Sequence, residues 1–206
     1  MNRGYFVTGI GTEVGKTVVS AVLTQALGAL YWKPIQSGDL DHTDTDKVKN
    51  LVSNTAVRFW PERFRLNTPA SPHLAAAIDQ VQIDLDDFQL PESDQPLIVE
   101  GAGGLHVPLN DSQLMIDLIH RLGLEVVLVS QHYLGSINHS LLSWEALVSR
   151  NLPVVGWVFT GPSNSDSEQI ILKHSGLPVL GRVPQLEPLN QETVAVAAQS
   201  FKSLTA

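Results

Sequence analysis

Lys16, Thr17, Lys33 and Glu100 are the residues whose types and spacing could do chemistry, and that chemistry is the handling of phosphate groups. Lys16 and Thr17 close the run Gly9-Ile10-Gly11-Thr12-Glu13-Val14-Gly15-Lys16-Thr17, which links the apolar Tyr5-Phe6-Val7 to a helical pattern beginning at Val18. A strand, a glycine-rich turn, Gly-Lys-Thr and a helix present backbone N–H groups and a helix N-terminus to phosphate oxygens. The lysine then reaches the β- and γ-phosphates and the threonine hydroxyl ligates Mg²⁺. The spacing departs from the general pattern, since five residues rather than four separate Gly9 from Gly15 and Ile10 stands where a glycine is expected. Glu13 also puts a negative charge inside a loop meant for phosphates.

Glu100 leaves the apolar run Pro96-Leu97-Ile98-Val99 and is followed by Gly101-Ala102-Gly103-Gly104. An isolated carboxylate at such a position is costly unless paired or metal-bound. A Mg²⁺ shared with Thr17 is the expected partner, and the glycines let the backbone approach a ligand closely. Lys33 emerges from another apolar run directly before Pro34, where a second lysine can steady charge on a transferring phosphoryl group. Ser37 can donate to an anionic substrate group. Asp46 is a candidate metal ligand, with Asp44 the neighbouring choice and helix capping the competing role for any Asp in this loop. The acidic stretch 39–46 has Asp44 where a calcium loop requires Gly and Asn50 where it requires Glu, so that reading is rejected. His73, His106, His132 and His139 have no metal-ligand spacing and are read as structural.

These residues must be positioned by strands and helices. Val19, Val22, Leu23, Ala26, Leu27 and Leu30 share one face of a helix predicted over 18–30. Strands are predicted over 29–35, 96–99, 125–130, 154–159 and 179–183, with helices from about Asp46, from His73 to Ile78 and over 137–150. In the last of these Ile137, Leu141, Trp144 and Val148 share a face. The expected fold is α/β: a mostly parallel sheet flanked by helices on both faces, a P-loop NTPase of Rossmann-like three-layer form. Ligands bind beyond the carboxyl ends of such strands, which gathers Gly9, Lys33, Glu100, Ser130 and Phe159 on one rim.

The chain has 206 residues, of which 43% are hydrophobic and 17% charged, as in one globular domain. A net charge of −8 without a basic cluster argues against nucleic acid. No apolar run approaches the roughly 20 residues that cross a bilayer, and no secretion signal is seen. With no cysteine there is no disulfide framework, thiolate nucleophile or cysteine metal site. The expected location is the cytoplasm, where the Asn-x-Ser matches at Asn110 and Asn138 are accidents.

Thr12-Glu13-Val14-Gly15-Lys16-Thr17, Lys33-Pro34-x-x-Ser37-Gly38, Ser71-Pro72-His73, Glu100-Gly101-Ala102-Gly103-Gly104 and Gly135-x-Ile137-Asn138-His139 together resemble the dethiobiotin synthetase family, in order and spacing, over nearly the whole chain. The long Gly9–Gly15 spacing is what that family shows. The resemblance implies a homodimeric P-loop enzyme that uses ATP and Mg²⁺ to join 7,8-diaminononanoate and CO₂ into a ureido ring. It implies a carbamate that attacks the γ-phosphorus, and a mixed carbamic–phosphoric anhydride that the second amine opens. Lys16 and Lys33 would stabilise the transferring group. Thr17, Asp46 and Glu100 would hold Mg²⁺, with Glu13 near metal and phosphates, and Val14, Gly15, Gly101, Ala102 and Gly103 would lie along the nucleotide. Thr12, the third catalytic candidate, and Ser37 would contact the carbamate or diamine. Gly135, Ser136, Ile137 and Asn138 would grip the substrate carboxylate from the partner subunit. Three departures stand out: Tyr133 where the family usually has Lys, Thr160-Gly161 where it commonly has Asn-Asp, and Pro184-Gln185-Leu186 in place of Pro-Trp-Leu. The last two fall on the segments, including Thr160, that would read the base.

Two other readings share the P-loop class. An amide ligase related to cobyrinate synthases needs a glutamine-hydrolysing domain with a cysteine nucleophile, and the chain has no cysteine. A nucleotide-switched partitioning or positioning ATPase carries a lysine early in the loop, where this chain has Gly11.

Overall fold

The computed structural model describes residues 4–205. In chain order the elements are β1 (Gly4–Gly9), α1 (Lys16–Leu27), β2 (Leu30–Trp32), β3 (Ile35–Ser37), α2 (Asp44–Leu51), β4 (Arg58–Trp60), β5 (Phe64–Leu66), α3 (Pro72–Ile78), β6 (Leu97–Gly104), α4 (Met115–Leu122), β7 (Glu125–Gln131), α5 (Ser136–Val148), β8 (Val154–Thr160), α6 (Ser165–Ser175), β9 (Val179–Val183) and α7 (Gln191–Ala198). Seven strands form one parallel sheet in the order β4-β2-β6-β1-β7-β8-β9, and β3 pairs with β5 in a separate two-stranded ribbon. Successive strand residues face opposite ways. Tyr5, Val7, Tyr31 and Ile98 pack under α1, α2 and α7, whereas Phe6, Trp32, Val99 and Trp157 pack under α3 to α6. Burial on both sides explains why these strands read as nearly continuous apolar runs.

Where the elements differ from expectation, local chemistry accounts for the difference. The first helix ends at Leu27 because Gly28 adopts a left-handed φ of 58° and returns its N–H to Thr24; Leu30, expected on the helix, begins β2. The single strand expected over 29–35 breaks at Lys33-Pro34, where proline lacks the N–H a ladder needs. Lys33 therefore stands between two strands that belong to different sheets. α2 starts at Asp44, two residues before the expected Asp46, because Thr43 and Asp46 form a capping box. The face of α5 against the sheet is also not the expected one. Ser136, Ser140 and Leu147 are its buried residues, and Ser140 Oγ lies 2.9 Å from Ser130 Oγ. Of the expected stripe, Ile137 and Val148 are exposed, whereas Leu141 and Trp144 are half-buried and Trp144 packs against the core, because the small serines take the position closest to the sheet.

Candidate active site

The loop after β1 is shaped by its backbone. Gly15 caps α1 with a φ of 86° and no side chain of its own, so the first-turn N–H groups face the loop interior. Behind Gly15 the Thr160 hydroxyl donates to the Val14 carbonyl at 2.9 Å, and a Cβ added at Gly15 would stand 3.2 Å from the Thr160 methyl. Thr160, expected beside the base, thus braces the loop from the end of β8, two strands away from β1. Glu13 also takes a left-handed φ, 60°, which costs a non-glycine residue about 1 kcal/mol. Lys16 Nζ donates to the Gly11 carbonyl at 2.7 Å. Burial and the charge of Lys33 lower its pKa to about 8, against smaller opposing effects of Glu100 and Asp44.

Glu100 stands opposite Val7, but Gly9 stands opposite Gly104, so three residues of β6 bow out against one of β1. The bulge lets the glycine segment face the loop. Glu100 is only 1% exposed. Its Oε1 accepts from Thr17 Oγ1 at 2.9 Å and from Lys33 Nζ at 3.0 Å, and its Oε2 accepts from the Tyr31 hydroxyl at 2.9 Å. Lys33 Nζ also donates to the Gly101 carbonyl at 3.3 Å and pairs with Asp44 Oδ2 at 2.7 Å. Burial works to lower the Lys33 pKa, but the charges of Glu100 and Asp44 outweigh it and hold the value above its ordinary one. Burial, with the charge of Glu100, holds the Tyr31 phenol well above its ordinary range, so it stays a donor.

Of the two carboxylates at the start of α2, Asp44 reaches this cluster. Asp46, the expected metal ligand, has its carboxylate on the Thr43 N–H and hydroxyl and 3.8 Å from Lys49. Helix capping took it. Thr17, Glu100 and Asp44 offer hard oxygen donors of the kind Mg²⁺ takes. Among the described residues no group of three or more His, Cys, Asp or Glu could hold a metal.

Thr12, Glu13, Lys33, Ser37, Asp44, Ala102 and Gly103 line a cavity of about 500 Å³, closed on the far side by Pro69 to Pro72. The Ser37 hydroxyl is buried there without a hydrogen-bond partner, a cost that a polar ligand would remove. Gln36, which sequence reasoning passed over, fixes the cavity wall by donating to the Gly38 carbonyl and accepting from the Asp44 N–H. Gly135, Ile137 and Asn138 line a different cavity of about 700 Å³ with His132, Tyr133 and Asn164. Ser136, grouped with them by expectation, is buried against the sheet instead.

A third cavity, about 180 Å³, lies beyond β8 and is lined by Phe159, Thr160, Gly161, Arg182, Pro184 and Gln185, among others. Leu186, expected with them, is not on its wall and packs onto the core under α7, where an apolar side chain is favoured. On that wall Glu168 accepts from Arg182 Nε at 2.8 Å and lies 3.3 Å from His132 Nε2. Burial pushes the Glu168 carboxyl up, but hydrogen bonds from Arg182 and His132 more than reverse this, leaving its pKa below the ordinary 4.5. A carboxyl more acidic in the fold than in the unfolded chain stabilises the fold above its unfolded pKa, and that stability is lost as pH falls through the folded one. The melting-temperature gap between wild type and Glu168→Gln is therefore expected to be full at pH 7 and to close as pH falls below about 4.5. Melts across that range check it.

A family model described as an AAA domain matches residues 3–193. The chain is 48% identical over 202 residues to the ATP-dependent dethiobiotin synthetase BioD of Christiangramia forsetii, covering 98% of this chain and 97% of that one. It is 49% identical over 197 residues to the enzyme of the same name from Brucella anthropi, covering 96% and 93%. Among solved structures it is similar to the septum site-determining protein MinD of Pyrococcus horikoshii, with a TM-score of 0.62 and 16% identity over 100% of this chain and 95% of that one. A ParA family ATPase from Chlorobium tepidum gives a TM-score of 0.57 at 16% identity over 98% and 93%. At that identity the two ATPases share the sheet and its helices, and the likeness carries the fold alone.

Proposed function

This chain belongs to the ATP-dependent dethiobiotin synthetase family, and we propose from that premise that it closes the ureido ring of dethiobiotin from 7,8-diaminononanoate, CO₂ and ATP. The observation that carries the reading is the convergence of Lys16, Thr17, Lys33 and Glu100 beside a cavity where the Ser37 hydroxyl is buried without a partner.

One substrate amine takes up CO₂ as a carbamate. A carbamate oxygen attacks the γ-phosphorus, the bond to the ADP oxygen breaks, and a carbamic–phosphoric anhydride forms. The second amine then attacks the carbonyl carbon and phosphate leaves. No protein nucleophile takes part, so the protein acts by positioning and electrostatics. Lys16 and Lys33 offset the charge of the transferring group. Thr12 and Ser37 orient the carbamate and diamine, and the amides of the loop and of Gly101 to Gly103 lie along the phosphates. Thr17, Glu100 and Asp44, the last replacing Asp46, would hold Mg²⁺, which would supply positive charge to offset that of the phosphate groups.

The working unit is a homodimer. Its support is the exposed apolar set Leu134, Ile137 and Val148 and the separate cavity at Gly135, Ile137 and Asn138, which shares no lining with the phosphate cavity. Amides at the α5 N-terminus suit the carboxylate of a substrate bound to the partner. The workplace is the cytoplasm, in keeping with a cysteine-free chain; among the described residues no helix is long and apolar enough to cross a membrane.

The test is an assay with diaminononanoate, bicarbonate, Mg²⁺ and ATP, following phosphate release and dethiobiotin by mass spectrometry. Phosphate release is expected to require the diamine and to vanish in Lys16→Ala. ATP hydrolysis indifferent to the diamine would sink the proposal.

A further inference from the structure

Tyr31 sits in β2 with its side chain fully buried. Strand pairing sets it opposite Ile98, and Glu100 lies two residues further along β6, so both side chains point to the α1 side of the sheet. The phenol reaches along that face to Oε2 of Glu100 at 2.9 Å, while the other contacts of the carboxylate, from Thr17 and Lys33, go to Oε1. The two oxygens of one buried carboxylate thus have separate duties, one toward the sheet interior and one toward the loop.

We infer that Tyr31 is a positioning residue for the metal–phosphate site: by donating to Oε2 it fixes the Glu100 carboxylate plane and presents Oε1 to Thr17 and the metal. Without that donor Oε2 would be buried and unsatisfied, and the carboxylate would turn toward whatever donor remained. A ligating carboxylate is tuned by the group that holds its other oxygen, and loss of such a partner costs about 10- to 100-fold in metal affinity. Because the donor stands on a strand paired on both sides, the orientation is built into the sheet and does not wait for the loop to close. The inference rests on the reading that Glu100 holds Mg²⁺.

The competing explanation is core filling, since the Tyr31 ring packs edge-on against Phe59 with centroids 6.1 Å apart. Tyr31→Phe keeps the ring and removes only the hydroxyl, whereas Phe59→Leu loosens the packing and leaves the hydroxyl. Mn²⁺ binding to the full chain with ADP, read by electron paramagnetic resonance, is expected to weaken about 10- to 100-fold in Tyr31→Phe and to stay at the wild-type value in Phe59→Leu. In turnover Tyr31→Phe is expected to need more Mg²⁺ for half-maximal rate, with the KM for the diamine unchanged and kcat largely restored by excess Mg²⁺. Glu100→Gln separates the two layers. If it loses Mn²⁺ binding while Tyr31→Phe keeps the wild-type value, the Tyr31 inference is overturned. If Glu100→Gln also binds Mn²⁺ normally, the reading of Glu100 as a metal ligand fails with it. Equal weakening in Tyr31→Phe and Phe59→Leu would assign Tyr31 to packing alone.

Discussion

Lys33→Met should melt at a lower temperature than the wild type in the absence of divalent cations, and Mg²⁺ should return most of the loss. Lys33 bridges Glu100 and Asp44, and it is 4% exposed against 1% for Glu100. Removing it leaves two neighbouring carboxylates with no cation between them, a change that typically costs 3–5 kcal/mol, or roughly 10 °C in a chain of this size. Mg²⁺ restores positive charge at the same oxygens. In the wild type Lys33 already occupies that place, so Mg²⁺ without nucleotide should raise its melting temperature much less. A lysine whose pKa is raised by folding stabilises fully below its unfolded value, near 10.5, and loses that as pH rises through the folded one. The gap between wild type and variant should therefore persist through neutral pH and narrow only in strong alkali. Catalysis should fall by about 10²- to 10³-fold in kcat, the usual loss for one preorganised charge aimed at a transition state. Melts with and without MgCl₂ decide the structural half, and an equal response of both proteins to Mg²⁺ would refute it.

The same double use of residues explains which parts of the site were legible from the sequence. The Gly9–Thr17 loop and Glu100 were readable because each is a local signal: glycines at fixed offsets, and a carboxylate leaving an apolar run. Lys33 was readable from its place before Pro34, although the strand around it is two short strands in different sheets. Asp44 and Asp46 could not be ranked by composition, since both stand in the first turn of one helix. The decision came from Thr43, three residues before Asp46, which completes a capping box and leaves Asp44 free to face Lys33. Tyr31 carries no local signal at all. It reaches Glu100 only because β2 and β6 are neighbours in a particular register, and register between strands so far apart in the chain is a tertiary property. Leu186 and Ser136 stand off the cavity walls their neighbours line, because a segment can line a cavity while one of its members faces the core. On α5 the apolar stripe is divided: Trp144 packs against the core, and Ile137 and Val148 are exposed. Periodicity says that a face is apolar, and not whether a sheet or another subunit covers it.

That stripe leads to the second large expected effect, recovery of activity from two inactive proteins. Leu134 is fully exposed, and Ile137 and Val148 are exposed on one face of the helix that follows; apolar groups gathered in this way are expensive in water and mark a surface to be covered. If a second copy covers it by two-fold symmetry, each phosphate cavity is completed by the partner's α5 N-terminus. Lys33→Met damages the phosphate side of a site, and Asn138→Asp damages the carboxylate side by placing like charges together. Each homodimer should be nearly inactive. After mixing and subunit exchange, half of the dimers are hybrids in which one site carries both lesions and the other carries neither, so about one quarter of wild-type activity should return. A site built within one chain predicts no recovery at any ratio, because every site would keep one lesion. Mass spectrometry of the intact dimers shows whether exchange took place, and sedimentation of Val148→Glu gives the companion result. A charge placed in the stripe should shift that variant toward monomer and lower its activity with it. A monomer that keeps full turnover would remove the shared site, leaving the phosphate chemistry of Lys16, Thr17, Lys33 and Glu100 to be completed by residues of one chain.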